Sequence, residues 1–382
     1  MGRTRLKRPG RPRRCMRRRG TIGFWKFKLV GAPPLLSFGC GEPPLPSLRP
    51  MKAELEAIGV SKTVYGYLYP EVEGVMARTF RDPKLIEMQR RGYTQRQDSM
   101  GQSFLDTYTD WTRDILNIDA ERFRFVYPSA GSAEAIRESI AVQSTSNRAR
   151  DKTTLHMFDG DYEGYVAYAR AHGVNIVLHE RDGYTESLSN VSSGDTFYIS
   201  QPSAIDGNVW SGYDQFMTWL EAHKPTLNVF VDLAYLGTLR DRRVRIATHF
   251  KNIRGLFFSL SKAFGIFYQR IGGMFSDREW PSLYANRLWF KNLVNLTLGE
   301  ELMRQFQPHA LPAKYHPVQM AVVAGLRERF GDTVEPSDSI LLAHQPAREP
   351  LQPVQRELCR TRSVIRYCLT PGIDQRVSYH PL

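Results

Sequence analysis

Ser259-Leu-Ser-Lys262-Ala-Phe-Gly265 is followed by Arg270, eight residues beyond the lysine, and preceded by Val231-Asp232-Leu-Ala-Tyr235, whose carboxylate lies thirty positions before Lys262. A lysine flanked by small residues and glycine stands free of its own backbone and can attack a carbonyl. An arginine with a serine suits a phosphate, and a buried aspartate suits a protonated ring nitrogen. Further out, Ala130-Gly-Ser-Ala-Glu-Ala135 follows the apolar run Phe123 to Val126 and opens a helical pattern through Ile136 and Ile140. Such a strand–glycine turn–helix unit offers backbone N–H groups and the positive end of a helix dipole to an anion. An ordinary helix start capped by Ser132 reads the same way, because a phosphate cup is such a start. Asp161-Tyr162-Glu-Gly-Tyr165 comes next, after the apolar stretch Leu155 to Phe158.

An amine for an aldehyde, a cationic fork for a phosphate and an anion for a pyridinium fit one ligand, pyridoxal 5'-phosphate. The order and spacing resemble the aspartate aminotransferase superfamily, the class I/II aminotransferases of fold type I. That resemblance implies that the backbone of Gly131, Ser132 and Ala133, with Ser259 and Arg270, holds the cofactor phosphate. It implies that the Tyr162 ring stacks on the pyridine, that Asp232 meets the ring nitrogen and that Tyr235 reaches the phenolic oxygen. Lys262 would be the covalent anchor and the base at the substrate Cα. Tyr65-Gly-Tyr67-Leu-Tyr69-Pro-Glu-Val-Glu-Gly74 resembles the family's Tyr-x-Pro-x-x-Gly segment. In the family that tyrosine, here Tyr69, reaches the neighbouring subunit's phosphate, which implies a homodimer; packing on its own subunit is the competing reading. A small-domain arginine forks onto the substrate carboxylate, with geometry lysine cannot copy. Arg366, with strand-like flanks, is preferred to Arg376.

One segment departs from the pattern. Many members carry Asn-Pro-x-Asn-Pro-x-Gly, whose second asparagine donates to the phenolic oxygen; here Gln201-Pro-Ser-Ala204-Ile-Asp-Gly207-Asn208 puts an alanine there. Either Asn208 takes over or Tyr235 serves alone. The resemblance implies an aminotransferase moving an amino group between an amino acid and a 2-oxo acid. The alternative keeps the cofactor but breaks another bond, giving a decarboxylase, lyase or deaminase. A third reading, a ligand-sensing regulator whose basic tail touches DNA, lacks the folded DNA-binding module that thirty arginine-rich residues cannot make.

The net charge of +13 over 382 residues suggests nucleic acid until it is located. Residues 1–30 hold twelve Lys or Arg and no acid, which leaves 40 basic against 39 acidic residues elsewhere. That near-neutral body is typical of a metabolic enzyme, and nucleic acid is not an expected partner. The basic segment is read as a dispensable, disordered extension, against an organelle leader or a nucleic-acid tail. No apolar run is long enough to span a membrane. Four scattered cysteines without metal spacing point to a reducing cytoplasm, with no disulfides and no metal.

Short apolar strands alternating with helical patterns predict an α/β fold: a large domain with a mostly parallel sheet sandwiched by helices, plus a smaller α+β domain. The expected divisions are an extension at 1–34, a segment at 35–75 (with Gly41-Glu-Pro43) serving the small domain and dimer contacts, a large cofactor domain at 76–300 and a short C-terminal domain at 301–382. Expected strands are Phe123–Tyr127, Thr154–Phe158, Asn175–Leu178, Thr196–Ser200, Asn228–Val231, Gly255–Ser259 and Gly272–Phe275, with Ser339–Ala343 and Val364–Leu369 in the small domain. Trp280 to Gln307 reads as one long helix joining the domains. The proposed ligands fall just after strands, where open α/β sheets keep their sites.

Overall fold

Runs of β-branched and aromatic residues bounded by turn residues become seven strands of one sheet in the computed structural model, which describes residues 48–91, 97–147, 153–288 and 292–377. The strands are β1 (Phe125–Ser129), β2 (Thr154–Phe158), β3 (Asn175–His179), β4 (Thr196–Ser200), β5 (Asn228–Asp232), β6 (Ile253–Ser259) and β7 (Gly272–Ser276). All seven expected strands are present, each end within two residues of its anticipated place. Their order is β1-β7-β6-β5-β4-β2-β3. Strands β3, β2, β4, β5 and β6 run parallel, while β7 lies antiparallel to both β6 and β1.

Helices cover both faces, so the strands are apolar on both sides. In β4, Phe197 and Ile199 enter one core while Tyr198 enters the other. There Tyr198 stacks on Phe230 with ring centroids 5.0 Å apart, and its hydroxyl meets Ser139 at 2.8 Å. A one-residue slip would exchange the two cores, so the register is fixed.

A second, antiparallel sheet joins β8 (Glu335–Pro336), β9 (Leu342–Pro346) and β10 (Val364–Cys368) in the order β10-β9-β8. Strand β9 lies three residues beyond the expected Ser339–Ala343. Ser339 instead turns the chain, pairing with Leu239, and the buried Gln319 amide donates to the carbonyls of Ser337, Ser339 and Leu342. An early segment joins this sheet: Ser61 and Cys368 exchange backbone hydrogen bonds of 3.0 and 3.2 Å. That pairing sets residues 61–66 beside β10.

The helix expected over Trp280 to Gln307 is not continuous. A 3-10 turn at Pro281–Leu283 leads into a short helix, Tyr284–Leu288, and a new helix, Leu293–Gln305, starts afterwards. Asn292 caps the new helix by accepting from the Asn295 N–H at 3.2 Å, a start signal hidden inside an amphipathic pattern. The basic extension and Gly41-Glu-Pro43 lie outside the described residues. Among the described residues no helix is long and apolar enough to cross a membrane.

Candidate active site

Loops leaving the carboxyl ends of β1, β2, β4, β5 and β6 converge on a cavity of about 240 Å³ that residues 63–66 and β10 close from the other side. It is lined by Ser132, Ala133, Tyr162, Asp232, Tyr235, Ser259, Lys262, Arg270 and Arg366, all anticipated from the sequence. Thr63, Val64, Gly66, Glu163, Ala204, Ala234, Ser261 and Phe267 complete the wall.

Lys262 follows β6, and its ammonium lies 4.6 Å from the centre of the Tyr235 ring. Burial pulls its pKa below the usual lysine value, against the pull of Asp232, which favours the charge. Asp232 ends β5, 4 % exposed. Its carboxyl accepts from the Ala234 N–H at 3.0 Å and from the Tyr165 hydroxyl at 3.3 Å. Burial pushes it up to about 6, Lys262 opposing. The two groups sense each other but form no ion pair within 4.0 Å, and the cavity opens between them.

The turn expected to cup an anion follows β1. Gly131 holds φ +71, and a Cβ there would stand 2.7 Å from Arg270 Nη2 and 3.5 Å from Ser259 Oγ, so only glycine lets the arginine close over the turn. Arg270 itself holds φ 50, a left-handed conformation that costs a non-glycine residue about 1 kcal/mol. Its Nη2 donates to the Ala130 carbonyl at 3.0 Å. The helix Ser132–Asn147 begins at Ser132 itself, so the N–H groups of Ser132 and Ala133, two residues that line the cavity, have no acceptor within the helix, whereas the expected Gly131 N–H is taken by the Ser129 carbonyl at 2.8 Å. Ser261 Oγ is buried without a hydrogen-bond partner.

At the opposite end Arg366 is 3 % exposed. It donates to the Ala204 carbonyl and, at 3.3 Å, to the Lys62 carbonyl, while its Nε has no partner. A buried guanidinium with a spare donor is ready for an anion. Arg376 is elsewhere, exposed and bound to the Gly372 carbonyl.

Two expectations fail. Asn208 does not replace the missing donor at Ala204, because its Oδ1 accepts from the Asp338 N–H at 2.9 Å and it does not line the cavity. Tyr69 does not reach outward. It is fully buried against Tyr67 and Tyr315, ring centroids 5.1 and 4.8 Å away, in an aromatic cluster of its own chain.

Beyond the wall residues just named, three that support the site from behind also went unread in the sequence. Tyr165 supports Asp232 from 67 positions away, a pairing no local pattern signals. Asp161, fully buried, accepts from the Tyr162 N–H at 2.7 Å and the Ser200 N–H at 3.0 Å, fixing the turn that carries the Tyr162 ring. Arg360 donates to the Gly160 carbonyl at 2.9 Å and the Asp161 carbonyl at 2.7 Å, tying the same turn to the C-terminal region. No local pattern announces it.

No protein-family model and no curated protein matches this sequence. Solved structures do match. An Escherichia coli protein with a methionine aminotransferase function is 14 % identical, with 87 % of this chain and 97 % of that one covered, at a TM-score of 0.62. The pyridoxal-phosphate-bound C–S lyase of Staphylococcus hominis is 10 % identical over 79 % of this chain and 85 % of its own, at 0.60. L-threonine-O-3-phosphate decarboxylase of Porphyromonas gingivalis is 16 % identical over 81 % and 95 %, at 0.54. At such identities the likeness is one of architecture: this chain has the fold these aminotransferase, lyase and decarboxylase structures share, the fold expected from its motifs.

Proposed function

We propose that this chain is a pyridoxal-phosphate-dependent enzyme of amino acids, and specifically an aminotransferase passing an amino group between an amino acid and a 2-oxo acid. The observation that carries the proposal is the Lys262 amine facing the Asp232 carboxyl across one cavity, with an anion cup at one end and a buried arginine at the other. The residues fit the cofactor: a glycine-floored cup under Arg270, an unpaired buried Ser261 hydroxyl, and a carboxyl and an amine that line the same cavity without pairing with each other each match one of its groups.

When bound, pyridoxal phosphate supplies an aldehyde that condenses with amines and a ring that accepts the electron pair left at the substrate Cα. Arg270, Ser259 and the N–H groups of Ser132 and Ala133 would hold the phosphate, while the Gly131 N–H is already given to the Ser129 carbonyl at 2.8 Å. Asp232, kept in place by Tyr165 and Ala234, would hold a proton at the ring nitrogen. Tyr162 would cover one face of the ring. Tyr235 would donate to the phenolic oxygen alone, since Ala204 offers no side-chain donor. Lys262, its pKa lowered by burial, would anchor the aldehyde and then move the proton at the substrate Cα. Arg366 would clamp the substrate carboxylate through its spare Nε.

Lys262→Ala tests the carrying observation. The purified protein with added pyridoxal phosphate is expected to absorb above 400 nm only while Lys262 is present; an unchanged spectrum in the variant moves the anchor elsewhere. The decarboxylase or lyase reading draws on the bare Ala204 wall. Mixing the loaded enzyme with single amino acids and no acceptor separates the readings: transamination gives the 2-oxo acid without carbon dioxide or an eliminated group.

A further inference from the structure

Five charged side chains line the cavity: Glu163, Asp232, Lys262, Arg270 and Arg366. The proposed reaction uses four of them, two for the cofactor's ring and aldehyde, one for its phosphate and one for the substrate carboxylate. Glu163 is left over, and it is an anion. It opens the helix Glu163–His172, next in sequence to Tyr162, and its side chain is 66 % exposed. Burial works against its charge, but Arg360, the helix start and Arg366 outweigh that and hold its pKa below the usual glutamate value. It lines the same cavity as Lys262, Tyr235 and Arg366, and its charge favours the cationic forms of Lys262 and Arg366.

Arg360 pairs with Glu163 Oε2 at 3.0 Å, yet does not line the cavity. The same guanidinium is spent on the Gly160 and Asp161 carbonyls, so it cannot swing towards a ligand without leaving both unpaired. The one charged group of the cavity lining left for a substrate side chain is therefore a carboxylate, in a wall that also holds Thr63, Val64 and Phe267.

We propose that Glu163 is the receptor for the substrate side chain, and that the enzyme prefers amino acids whose side chains end in a cation over those ending in a carboxylate. This rests on the aminotransferase-type site assigned above, and the test keeps the two apart. The probes are the stable reduced adducts N-(5'-phosphopyridoxyl)-L-ornithine, -L-glutamate and -L-norvaline, titrated calorimetrically into the full chain dialysed free of cofactor. All three share the phosphate, ring and α-carboxylate, and only the side chain differs. The ornithine adduct is expected to bind about tenfold tighter than the glutamate adduct, equivalent to about 1.4 kcal/mol. In Glu163→Gln that ratio is expected to fall to about two or less, with the norvaline adduct unmoved. Equal or tighter binding of the glutamate adduct to the native protein, or an unchanged ratio in the variant, overturns the inference alone. If no adduct binds, the cofactor site fails and the inference with it.

Discussion

Arg366 and Arg376 stand ten positions apart in sequence, but only one is buried at the cavity with a donor to spare. Arg366→Lys removes the fork while leaving a charge, and KM for the amino acid is expected to rise roughly 50-fold, a loss of about 2 kcal/mol of charge-assisted bonding. Arg376→Lys is expected to change KM less than about twofold. Steady-state kinetics of both variants decide it, and the reverse ranking moves the clamp to Arg376. Asp232 carries a cost in stability. Its folded pKa of about 6 lies above the ordinary 3.8, so the cofactor-free folded protein keeps a proton that the unfolded chain has already lost. The sign follows: this contribution is complete below about pH 4 and is lost as pH rises through 6. Asp232→Asn is therefore expected to stabilise the cofactor-free protein at pH 7 to 8 by up to about 3 kcal/mol, with no difference near pH 4. Thermal melts across that range check it, and a gap independent of pH would contradict it.

At the scale of elements, the decisive contact is between the loop after β6 and the segment 63–69. Gly265 holds φ +71, and a Cβ there would lie 2.0 Å from the Tyr67 carbonyl oxygen. Neither backbone can retreat without opening the cavity wall that Gly66 and Lys262 share. Gly265→Ala is expected to destabilise the protein by about 3 kcal/mol or more, read as a fall in the denaturant midpoint. A midpoint within error of the native one would show that the loops are not locked. The same elements explain what could be read in advance. The seven strands were legible because both faces are covered, leaving short apolar runs between turn residues, and the main site residues were legible because most of them stand at or just beyond a strand's carboxyl end. Tyr165 reaching Asp232 across 67 positions, or Arg360 reaching Gly160 across 200, has no local signature. Tyr69 and Asn208 were misread for the complementary reason: a motif position says nothing about which neighbours claim the side chain after folding.

For the whole molecule, charge is concentrated rather than spread. Deleting residues 1–30 removes twelve positive charges and takes the net charge from +13 to +1. The shortened protein is expected to lose retention on a cation exchanger at pH 7 while keeping its melting temperature and any cofactor spectrum. Retention that survives the deletion would place a strong basic face on the body instead.

The pairing of Ser61 with Cys368 has a consequence for how the molecule is made. Arg366 meets Lys62 across 304 positions, so the cavity's far wall is completed only after the whole main sheet has been translated. A nascent chain halted before residue 360 would own Lys262 and Asp232 but not β10, leaving the cavity without its Arg366 wall.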